Sequence, residues 1–295
     1  MRVRVDAIEA IIHRDVGRGL QPIFDATQGG LFAAASALAA EPAPRIGLVT
    51  GFFVPGGDPP AAETDGPAGA ALLARGLVQA GLACRVVTDT ICAGAVRVAL
   101  DRAGAASVAV DAVVPGATPD AVTEAWRDAG ITWALAIERC GPGADGKPHN
   151  MRGVDISAHT APLDRLFVAG PWRTMAIGDG GNEIGMGLMP RFLIEQHIAH
   201  GDRIGCTVAA EHLIAAGVSH WGAYALAAAL SLLRPEWAVA MRAALDPALD
   251  RAVLEAMVRD GPAVDGVTRR QEATIDALSL EAHHAVLAAV TAGMG

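Results

Sequence analysis

A glycine-rich stretch that carries two carboxylates is the part of this sequence best suited to chemistry. The run AIGDGGNEIGMG, residues 176–187, places Asp179, Asn182 and Glu183 among five glycines. The glycines do not give the order GxGxxG from Gly178, and two carboxylates would repel a phosphate group at close range. A tight turn would explain the glycines but not the acidic and amide side chains. The composition favours a site for a metal ion or an amine-bearing substrate.

A second polar stretch follows a predicted strand. Glu138 and Arg139 end the apolar run ITWALAIER, residues 131–139, and a loop rich in glycine and proline comes next. A loop of this composition is normally a solvated surface segment, but the buried strand before it would place Glu138 and Arg139 at the edge of a sheet. The loop contains further polar residues: Asp145, Lys147, His149, Asn150, Arg152 and Asp155.

Three shorter segments contribute further polar residues. Thr50 ends the apolar run RIGLVT, and ETDGPAGA places Glu63 and Asp65 just before a helical pattern. Asp65 is of the right type to cap that helix, so capping and substrate binding are both open for it. Near the end of the chain, Asp265 and Gly266 form a predicted turn.

Strands alternate with helices along the chain, and this alternation predicts the framework for the polar residues. Short β-branched runs occupy residues 45–52, 84–89, 107–114 and 131–139, and helical patterns such as residues 68–81 lie between them. The pattern is typical of an α/β fold in which a mostly parallel, doubly wound, Rossmann-like sheet carries helices on both faces. Ligands of such sheets bind at the carboxyl ends of the strands, where the polar residues above are expected.

The later part of the chain continues this pattern. RLFVAG, TMAIGDGG and GCTVAA have the composition of strands, and EHLIAAGVSHWGAYALAAALSLL is predicted to be a turn that leads into a long buried helix. We predict one domain for residues 1–295, with N-terminal helices in residues 1–44 packed on it. His212 and His220 flank the apolar helix and are expected in the core or at a helix end, because no spacing typical of a zinc site occurs.

Composition argues against several classes of protein. The formal net charge of −9 disfavours a nucleic-acid-binding surface, and no uninterrupted apolar run reaches the roughly 18 residues of a membrane helix. The first residues, MRVRVDAIEAIIHRD, predict an amphipathic helix rather than a signal peptide. The four cysteines are scattered without a CxxC pair, which favours a cytoplasmic location. Alanine-rich helices could pack within the domain or between subunits, so a homo-oligomer is open.

Five motifs together resemble the D-glutamate cyclase family. They are TGFFVPGGDPPAAETDGPAGAALLARGL, AIERCGPGADGKPHNMRGVDIS, AIGDGGNEIGMG, AGVSHWGAYAL and DGVTRRQEATIDAL, in that order from Thr50 to Leu278. The chain departs from the family pattern at Cys140, where proline is common, and at His220, where asparagine is common. The resemblance implies conversion of D-glutamate to 5-oxo-D-proline with loss of water and without a redox cofactor.

The resemblance supports positions for a site, and the implied chemistry suggests roles for them. The amine needs a base, and the tetrahedral oxyanion needs hydrogen-bond donors. Asp179 or Glu183 is predicted to bind the amine and act as the base, with Glu138 and Asp155 as further catalytic carboxylates. The predicted substrate-binding residues are Thr50, Glu63, Asp65, Arg139, Asn150, Arg152, Gly180, Gly181, Asn182 and Asp265.

Some of the substrate-binding residues have specific predicted roles. Arg139 and Arg152 are candidate forks for the substrate carboxylates, because a guanidinium group binds a carboxylate through two parallel hydrogen bonds. The oxyanion would be bound by the amides of Gly180 and Gly181 and by the side chains of two asparagines, Asn150 and Asn182.

Two other functions are open on the residues alone. The carboxylates offer enough oxygen ligands for Mg²⁺ or another divalent cation, with Asp179 and Glu183 as the ligands. A divalent-metal-dependent hydrolase or lyase acting on a small carboxylate is therefore one alternative. A protein that binds a small molecule without turnover is the other. The cyclisation itself requires no cofactor, and the expected partner is a small acidic amino acid.

Overall fold

Six parallel strands form the central sheet, and the computed structural model describes residues 1–295. The strands are β1 (Arg45–Thr50), β2 (Phe53–Val54), β3 (Ala61–Ala62), β4 (Ala83–Asp89), β5 (Ala109–Val113), β6 (Trp133–Ile137), β7 (Arg173–Gly178) and β8 (His212–Ala215). The order across the main sheet is β5-β4-β1-β6-β7-β8, and every neighbouring pair is parallel. Strands β2 and β3 form a separate antiparallel pair.

Helices cover both faces of this sheet, which confirms the predicted doubly wound α/β fold. Helices α1, α3, α4, α5 and α10 to α13 contribute to the apolar cluster on one face, and α2 and α6 to α9 contribute to the cluster on the other. No helix combines the length and the apolarity that crossing a membrane requires. The helices are α1 (Arg2–Ile12), α2 (Gln21–Thr27), α3 (Gly30–Ala40), α4 (Pro67–Gln79), α5 (Ala93–Arg102), α6 (Asp120–Asp128), α7 (Arg165–Ala169), α8 (Arg191–His197), α9 (Gly201–Ile204), α10 (Ser219–Leu233), α11 (Ala238–Ala243), α12 (Pro247–Asp260) and α13 (Leu280–Ala292).

Successive residues of the central strands are buried on opposite faces. Leu48 and Leu135 belong to the cluster that includes α4 and α10, whereas Val49 and Ala136 belong to the cluster on the other face. Side chains alternate in this way along any strand. Because both faces are covered by helices, the strands appear in the sequence as continuous apolar runs.

The strand order changes direction between β1 and β6. From β1 the chain builds outward through β4 to β5, and it then returns to the other side of β1 to add β6, β7 and β8. The connections therefore diverge at this point and leave a crevice at the carboxyl ends of the strands. Thr50 ends β1 and Glu138 directly follows β6, so both lie at the crevice.

Two segments of the later chain differ from the prediction. RLFVAG forms helix α7 rather than a strand, and GCTVAA is a loop in which only Ala209 makes an isolated bridge. Strand β8 comes from HLIA, which was predicted as part of a turn. Short apolar runs fit a helix or a strand equally well. The segment HLIA forms a strand because it pairs with β7, where Leu213 and Ile214 are buried on opposite faces of the sheet.

Gly47 is required by the packing of β1 against α6. A Cβ atom at Gly47 would lie 2.3 Å from the indole ring of Trp126, which is fully buried. We expect Gly47→Ala to lower the free energy of unfolding in urea by about 1–3 kcal/mol. Gly94→Ala is the control, because nothing lies within 4 Å of a Cβ at that exposed helical position. The control should stabilise slightly, and a wild-type midpoint for Gly47→Ala would contradict this packing.

Candidate active site

A cavity of about 470 Å³ opens at the carboxyl ends of β1, β6 and β7. Its volume is that of a pocket for a small molecule. Loops that follow these strands form part of its wall, and loop residues from both ends of the chain complete it. The main lining side chains are Arg18, Phe52, Val54, Glu63, Glu138, Asn150, Met151, Arg152, Val154, Asp179, Asn182, Val267, Arg269 and Asp276.

Three buried carboxylates from different loops meet at the base of the cavity. One oxygen from each of Asp65, Glu138 and Asp179 lies within 4.8 Å of the others, and we call these three residues the carboxylate floor. Glu138 and Asp179 also line the cavity itself. The three residues follow β3, β6 and β7 in the chain. The parallel sheet brings Glu138 and Asp179 together because β6 and β7 end at this edge, whereas Asp65 comes from the loop between the separate strand β3 and α4.

The N-terminus of α10 supplies hydrogen-bond donors to the carboxylate floor. The Ser219 amide donates to Asp179 Oδ2 at 2.7 Å and to Asp65 Oδ2 at 3.2 Å. The His220 amide donates to Asp65 Oδ1 at 2.9 Å, and the Ser219 hydroxyl donates to Glu138 Oε2 at 2.5 Å. The first amides of a helix have no partner inside the helix and carry partial positive charge. They therefore stabilise negative charge on the floor.

Asp65 does not cap the helix that follows it, which was one of its two predicted roles. Helix α4 begins after Gly66 without a side-chain cap, and Asp65 accepts from α10 instead. Gly66 has a φ of +81°, and a Cβ there would lie 2.7 Å from the Cβ of Glu138. Glycine is therefore needed for the two loops to approach each other.

Burial and mutual repulsion raise the pKa values of several of these carboxyl groups. Burial, followed by the charge of Asp179, raises the pKa of Glu138 well above its ordinary value. The same two causes raise the pKa of Asp65. Burial, followed by the neighbouring carboxylates, also raises the pKa of Glu63 on the cavity wall. A carboxyl that keeps its proton near neutral pH can act as a general acid.

Arg18 reaches the carboxylate floor from the loop between α1 and α2. Its guanidinium lies 2.5 Å from Asp179 Oδ1 and 2.8 Å from Asp276 Oδ1. Although burial opposes it, the charges of Asp179 and Asp276 raise the pKa of Arg18, so its positive charge is maintained. Asp15 holds the loop in shape by accepting the amides of residues 17–20. Arg18 is not among the predicted site residues, because nothing in DVGRGL indicates that this loop reaches the sheet.

Asp276 was also missed, although it lies inside the last motif of the family resemblance. Burial raises its pKa to about 7 against the opposing effect of Arg18. Its φ of 54° is in the left-handed region, as is the φ of 47° at Glu138. Such conformations cost about 1–3 kcal/mol in residues other than glycine and are concentrated at functional sites. Backbone strain at two cavity carboxylates is a signal that only the structure provides.

Asp265 organises the loop that carries Asp276. Its two carboxylate oxygens accept four hydrogen bonds of 2.8 Å, three from backbone amides and one from the hydroxyl of Thr274. Asp265 is buried and is not among the residues that line the cavity. It was predicted to bind substrate, but its carboxylate oxygens are occupied by residues that flank Arg269 and Asp276 in this loop.

Glu183 has a similar internal role in the glycine-rich loop. Its Oε1 accepts the amides of Asp179 at 2.8 Å and Gly180 at 2.5 Å, and its Oε2 accepts the amide of Gly181 at 2.7 Å. The Gly180 and Gly181 amides, predicted as oxyanion donors, therefore point at Glu183 and not into the cavity. Burial, followed by Asp179, raises the pKa of Glu183 to about 7. This side chain supports Asp179 from behind and does not line the cavity.

Two other predicted site residues lie away from the cavity. The guanidinium of Arg139 is buried in an ion pair with Asp89 and also donates to the carbonyls of Gly51 at 2.7 Å and Ala161 at 2.6 Å. These contacts leave no fork free for a substrate carboxylate. Asp155 is exposed and pairs with Lys147 Nζ at 2.9 Å, so this predicted catalytic carboxylate is on the surface.

The remaining predicted residues are at the cavity or just behind it. Asn182 lines the cavity, and its amide group donates to the carbonyl of His149 at 2.9 Å. Asn150 Oδ1 accepts the amides of Arg152 and Val154, so Asn150 shapes the loop that presents Arg152. Thr50 is fully buried next to Gly66, and its hydroxyl has no hydrogen-bond partner.

Arg152 and Arg269 line the cavity without a carboxylate partner from the protein. Arg152 is exposed at the cavity and forms no ion pair, and partial burial followed by the nearby charge of Arg269 lowers its pKa. Arg269 has a φ of 62° and is half-buried beside Gly56. Two guanidinium groups in one cavity are suited to bind anionic groups. Binding a substrate carboxylate is the role predicted for Arg152 and stays a prediction, and Arg269 is not among the predicted residues.

The raised pKa of Asp276 makes the stability of the protein depend on pH. The folded state holds this proton up to about pH 7, whereas the unfolded chain releases it near the ordinary value of 3.8. The stabilisation is therefore complete below the unfolded value and is lost as the pH rises through the folded value. We expect Asp276→Asn to make the fall in urea stability between about pH 5 and pH 8 shallower than in the wild type.

Asp101→Asn is the control for this measurement, because Asp101 is an exposed residue of α5. It should follow the wild-type curve. Equal slopes for Asp276→Asn and the wild type would show that Asp276 does not hold a proton in the folded protein.

Comparison with known proteins identifies the family. Residues 8–291 match the family described as D-glutamate cyclase-like, C-terminal. A stretch of 103 residues is 46% identical to the human protein named D-glutamate cyclase, mitochondrial. This stretch is 34% of the present chain and 17% of the human protein, so the match spans a small part of that relative. Since the family match extends over almost the whole chain, the protein belongs to the D-glutamate cyclase-like C-terminal family.

Proposed function

We propose that this protein is a lyase of the hydro-lyase type that converts D-glutamate to 5-oxo-D-proline and water. The observation that carries the proposal is the pair of unpartnered guanidinium groups, Arg152 and Arg269, in the same cavity as the carboxylates Glu138 and Asp179. Glutamate carries two carboxylates and one ammonium group, so each charge of the ligand has a counterpart in the cavity. The family and the name of the human relative support the same reaction.

The reaction requires two protons to move from nitrogen to oxygen. Two of the three ammonium protons leave as nitrogen bonds to the side-chain carboxyl carbon. One oxygen of that carboxyl group departs with these two protons as water. A base must therefore accept a first proton from nitrogen, and an acid must protonate the leaving oxygen. The second nitrogen proton then passes to the ionised acid and the base gives its proton to the same oxygen, so water leaves and both groups return to their starting states. Two carboxyl groups in different electrostatic environments can perform these two tasks.

Asp179 is the proposed base. Its carboxylate is ion-paired with Arg18 at 2.5 Å and accepts the Ser219 amide at 2.7 Å, and both contacts stabilise the ionised form. An ionised carboxylate that lines the cavity can bind the substrate ammonium group and take its proton. Glu183 supports this assignment because it holds the backbone amide of Asp179 at 2.8 Å.

Glu138 is the proposed acid. It lines the same cavity, and burial, followed by the charge of Asp179, raises its pKa well above the ordinary value. A protonated Glu138 can donate to the carboxyl oxygen that leaves as water. The Ser219 hydroxyl, 2.5 Å from Glu138 Oε2, orients the carboxyl group for this transfer.

Arg152 and Arg269 are the proposed anchors for the substrate carboxylates. Holding both carboxylates would fold the flexible substrate so that its nitrogen lies against its own side-chain carboxyl carbon. The two reacting groups belong to one molecule, so holding the substrate in the folded conformation is enough to orient them. This positioning can supply much of the rate enhancement. The apolar side chains of Phe52 and Met151 in the cavity wall limit the water around the reacting groups.

Substitution of the two proposed catalytic carboxyls tests the reaction. We expect the wild type to form 5-oxo-D-proline from D-glutamate, as followed by chiral chromatography. Glu138→Gln and Asp179→Asn should each lower kcat by about 100-fold or more, because each removes one proton-transfer group. Asp155→Asn should keep most of the wild-type kcat, since that carboxylate is exposed on the surface. Wild-type rates in both cavity variants would refute the assigned roles.

The same assay separates catalysis from binding alone. Calorimetric binding of D-glutamate to the wild type, without product after prolonged incubation, would identify a small-molecule binding protein. L-Glutamate and the amide D-glutamine provide the comparison for stereochemistry and for the second carboxylate.

Substitution of the proposed anchors tests substrate recognition. Arg152→Gln and Arg269→Gln should each raise the KM for D-glutamate roughly tenfold or more, because each removes a charge-assisted hydrogen bond to a carboxylate. Arg270→Gln is the matched control, since Arg270 is the exposed neighbour of Arg269 and pairs with Glu272 at 3.1 Å. An unchanged KM in both cavity variants would remove the guanidinium groups from the binding site.

A divalent-metal-dependent hydrolase or lyase is the second candidate function. The geometry that favours it is the approach of Asp65, Glu138 and Asp179 within 4.8 Å, which is close enough for three oxygen ligands. The donors already at these carboxylates argue against a resident cation, because Arg18 brings positive charge to Asp179 and the N-terminus of α10 brings it to Asp65 and Asp179.

Chelation distinguishes the two functions. We expect protein dialysed against EDTA to keep its full rate of 5-oxo-D-proline formation, with no increase on addition of Mg²⁺ or Mn²⁺. Loss of turnover after chelation and its recovery with one metal would favour the metal-dependent function.

A further inference from the structure

A second group of buried polar side chains lies behind the first turn of α10, and the proposed reaction does not use it. Its centre is Asp250 of α12, which is completely buried. The Tyr224 hydroxyl donates to Asp250 Oδ1 at 2.6 Å, and His220 Nε2 lies 2.8 Å from the same oxygen. His284 Nε2 lies 2.8 Å from Asp250 Oδ2. The group thus joins α10, α12 and α13.

Trp221 determines the protonation of the remaining member, His283. The indole N–H donates to His283 Nδ1 at 2.8 Å, and an indole cannot accept a hydrogen bond in return. His283 Nδ1 therefore carries a lone pair, and the proton of the neutral ring is on Nε2, 2.8 Å from the Tyr224 hydroxyl. Burial, followed by the charge of His220, lowers the pKa of His283 to about 3, so this ring is neutral.

This protonation excludes a metal site, although His220, Asp250 and His283 are close enough to surround an ion. A metal ion needs the lone pair of His283 Nε2, but that atom holds the proton. The hydrogen bonds run from Trp221 through His283 and Tyr224 to Asp250. The carboxylate of Asp250 is the acceptor at the end of this chain.

Asp250 is ionised in this environment. Although burial opposes it, the interactions with His220 and His284 lower its pKa well below the ordinary range. The titratable groups that face it are His220 and Tyr224 from α10 and His283 and His284 from α13. Tyr224 of α10 and His284 of α13 are hydrogen-bonded to Asp250, and the ring of His220 lies in close contact with it. A buried carboxylate bound by two other helices in this way holds them in fixed positions.

His220 connects this group to the carboxylate floor. Its ring lies against Asp250 Oδ1 at 2.8 Å, and its backbone amide donates to Asp65 Oδ1 at 2.9 Å. The preceding residue, Ser219, supplies the amide and hydroxyl that contact Asp179 and Glu138. A displacement of the His220 side chain would therefore move donors of all three floor residues.

We propose that Asp250 is a positioning residue for the carboxylate floor, acting through His220 to hold the first turn of α10 against Asp65 and Asp179. This proposal rests on the proposed function for its kinetic consequence. Hydrogen bonds from α10 stabilise the ionised carboxylates. The charged or titratable groups that face these carboxylates from outside α10 are Arg18, Glu63, Glu183 and Asp276.

The test compares Asp250→Asn with the wild type in two measurements. Asparagine keeps the shape of the side chain but loses its charge and one acceptor oxygen. Hydrogen exchange of residues 216–224 should become at least tenfold faster in the variant, because the first turn of α10 is less firmly held. The acidic limb of the pH profile of kcat/KM should move upward by about one unit, because weaker hydrogen bonds from α10 to Asp65 and to the proposed base Asp179 make their ionised forms less favourable.

Glu255→Gln is the matched control on the same helix. Glu255 is exposed, lies more than one turn beyond Asp250 and has Arg251 at 4.0 Å as its charged neighbour. Loss of its charge should leave both the exchange of residues 216–224 and the pH profile unchanged. If Asp250→Asn fails to fold, Tyr224→Phe removes one donor to Asp250 at nearly constant volume and should produce the same two changes at smaller size.

The outcomes separate this proposal from the proposed function. Wild-type exchange of residues 216–224 in the folded Asp250→Asn variant would overturn the positioning role, and so would an unchanged pH profile in an active variant. If the wild type makes no 5-oxo-D-proline, the proposed function fails, while the exchange measurement still decides whether Asp250 holds α10.

Discussion

The burial of several carboxylates around one point is the constraint on which the rest of this site depends. The floor consists of Asp65, Glu138 and Asp179, which are almost inaccessible to solvent. One carboxylate oxygen of each lies within 4.8 Å of those of the other two. Isolated buried charges are strongly unfavourable, so such a group requires donors, cations or protons. The protein uses all three: the N-terminus of α10 donates hydrogen bonds, Arg18 supplies positive charge, and burial raises the pKa of Glu138. The division into ionised and protonated carboxyls follows from this arrangement.

The sheet and the loops have separate tasks in building the site. The parallel strands end at one edge, and this brings residues together that are more than a hundred positions apart in the chain. The loops then set the direction of each side chain, often through another carboxylate that does not face the cavity. Glu183 holds the glycine-rich loop, Asp265 holds the loop of Asp276, and Asp15 holds the loop of Arg18. Acidic residues near the site therefore divide into those that line the cavity and those that hold its loops.

Much of the framework was predictable from local sequence patterns. Apolar runs alternating with helical patterns predicted the doubly wound sheet, and the rule that ligands bind at the strand ends predicted where polar residues would meet. The motifs of the resemblance contain Glu138, Asp179 and Arg152, which line the cavity. Errors arose where a short apolar run fits two kinds of element, as for β8 and α7. Packing against β7 settles the first of these, and no local pattern contains that information.

The sequence by itself determined the residue types available, the α/β framework and the family resemblance, because these depend on short-range periodicity and on motifs. Only the tertiary structure decided which polar groups face the cavity. Arg139 and Asp155 are residue types that often occur in active sites. Arg139 is instead paired with Asp89 and Asp155 with Lys147, both away from the cavity. Arg18 carries no local signal and reaches Asp179 across a separation of 161 residues. The physical reason is that charge pairing and burial act through space, between segments whose proximity the folded sheet creates.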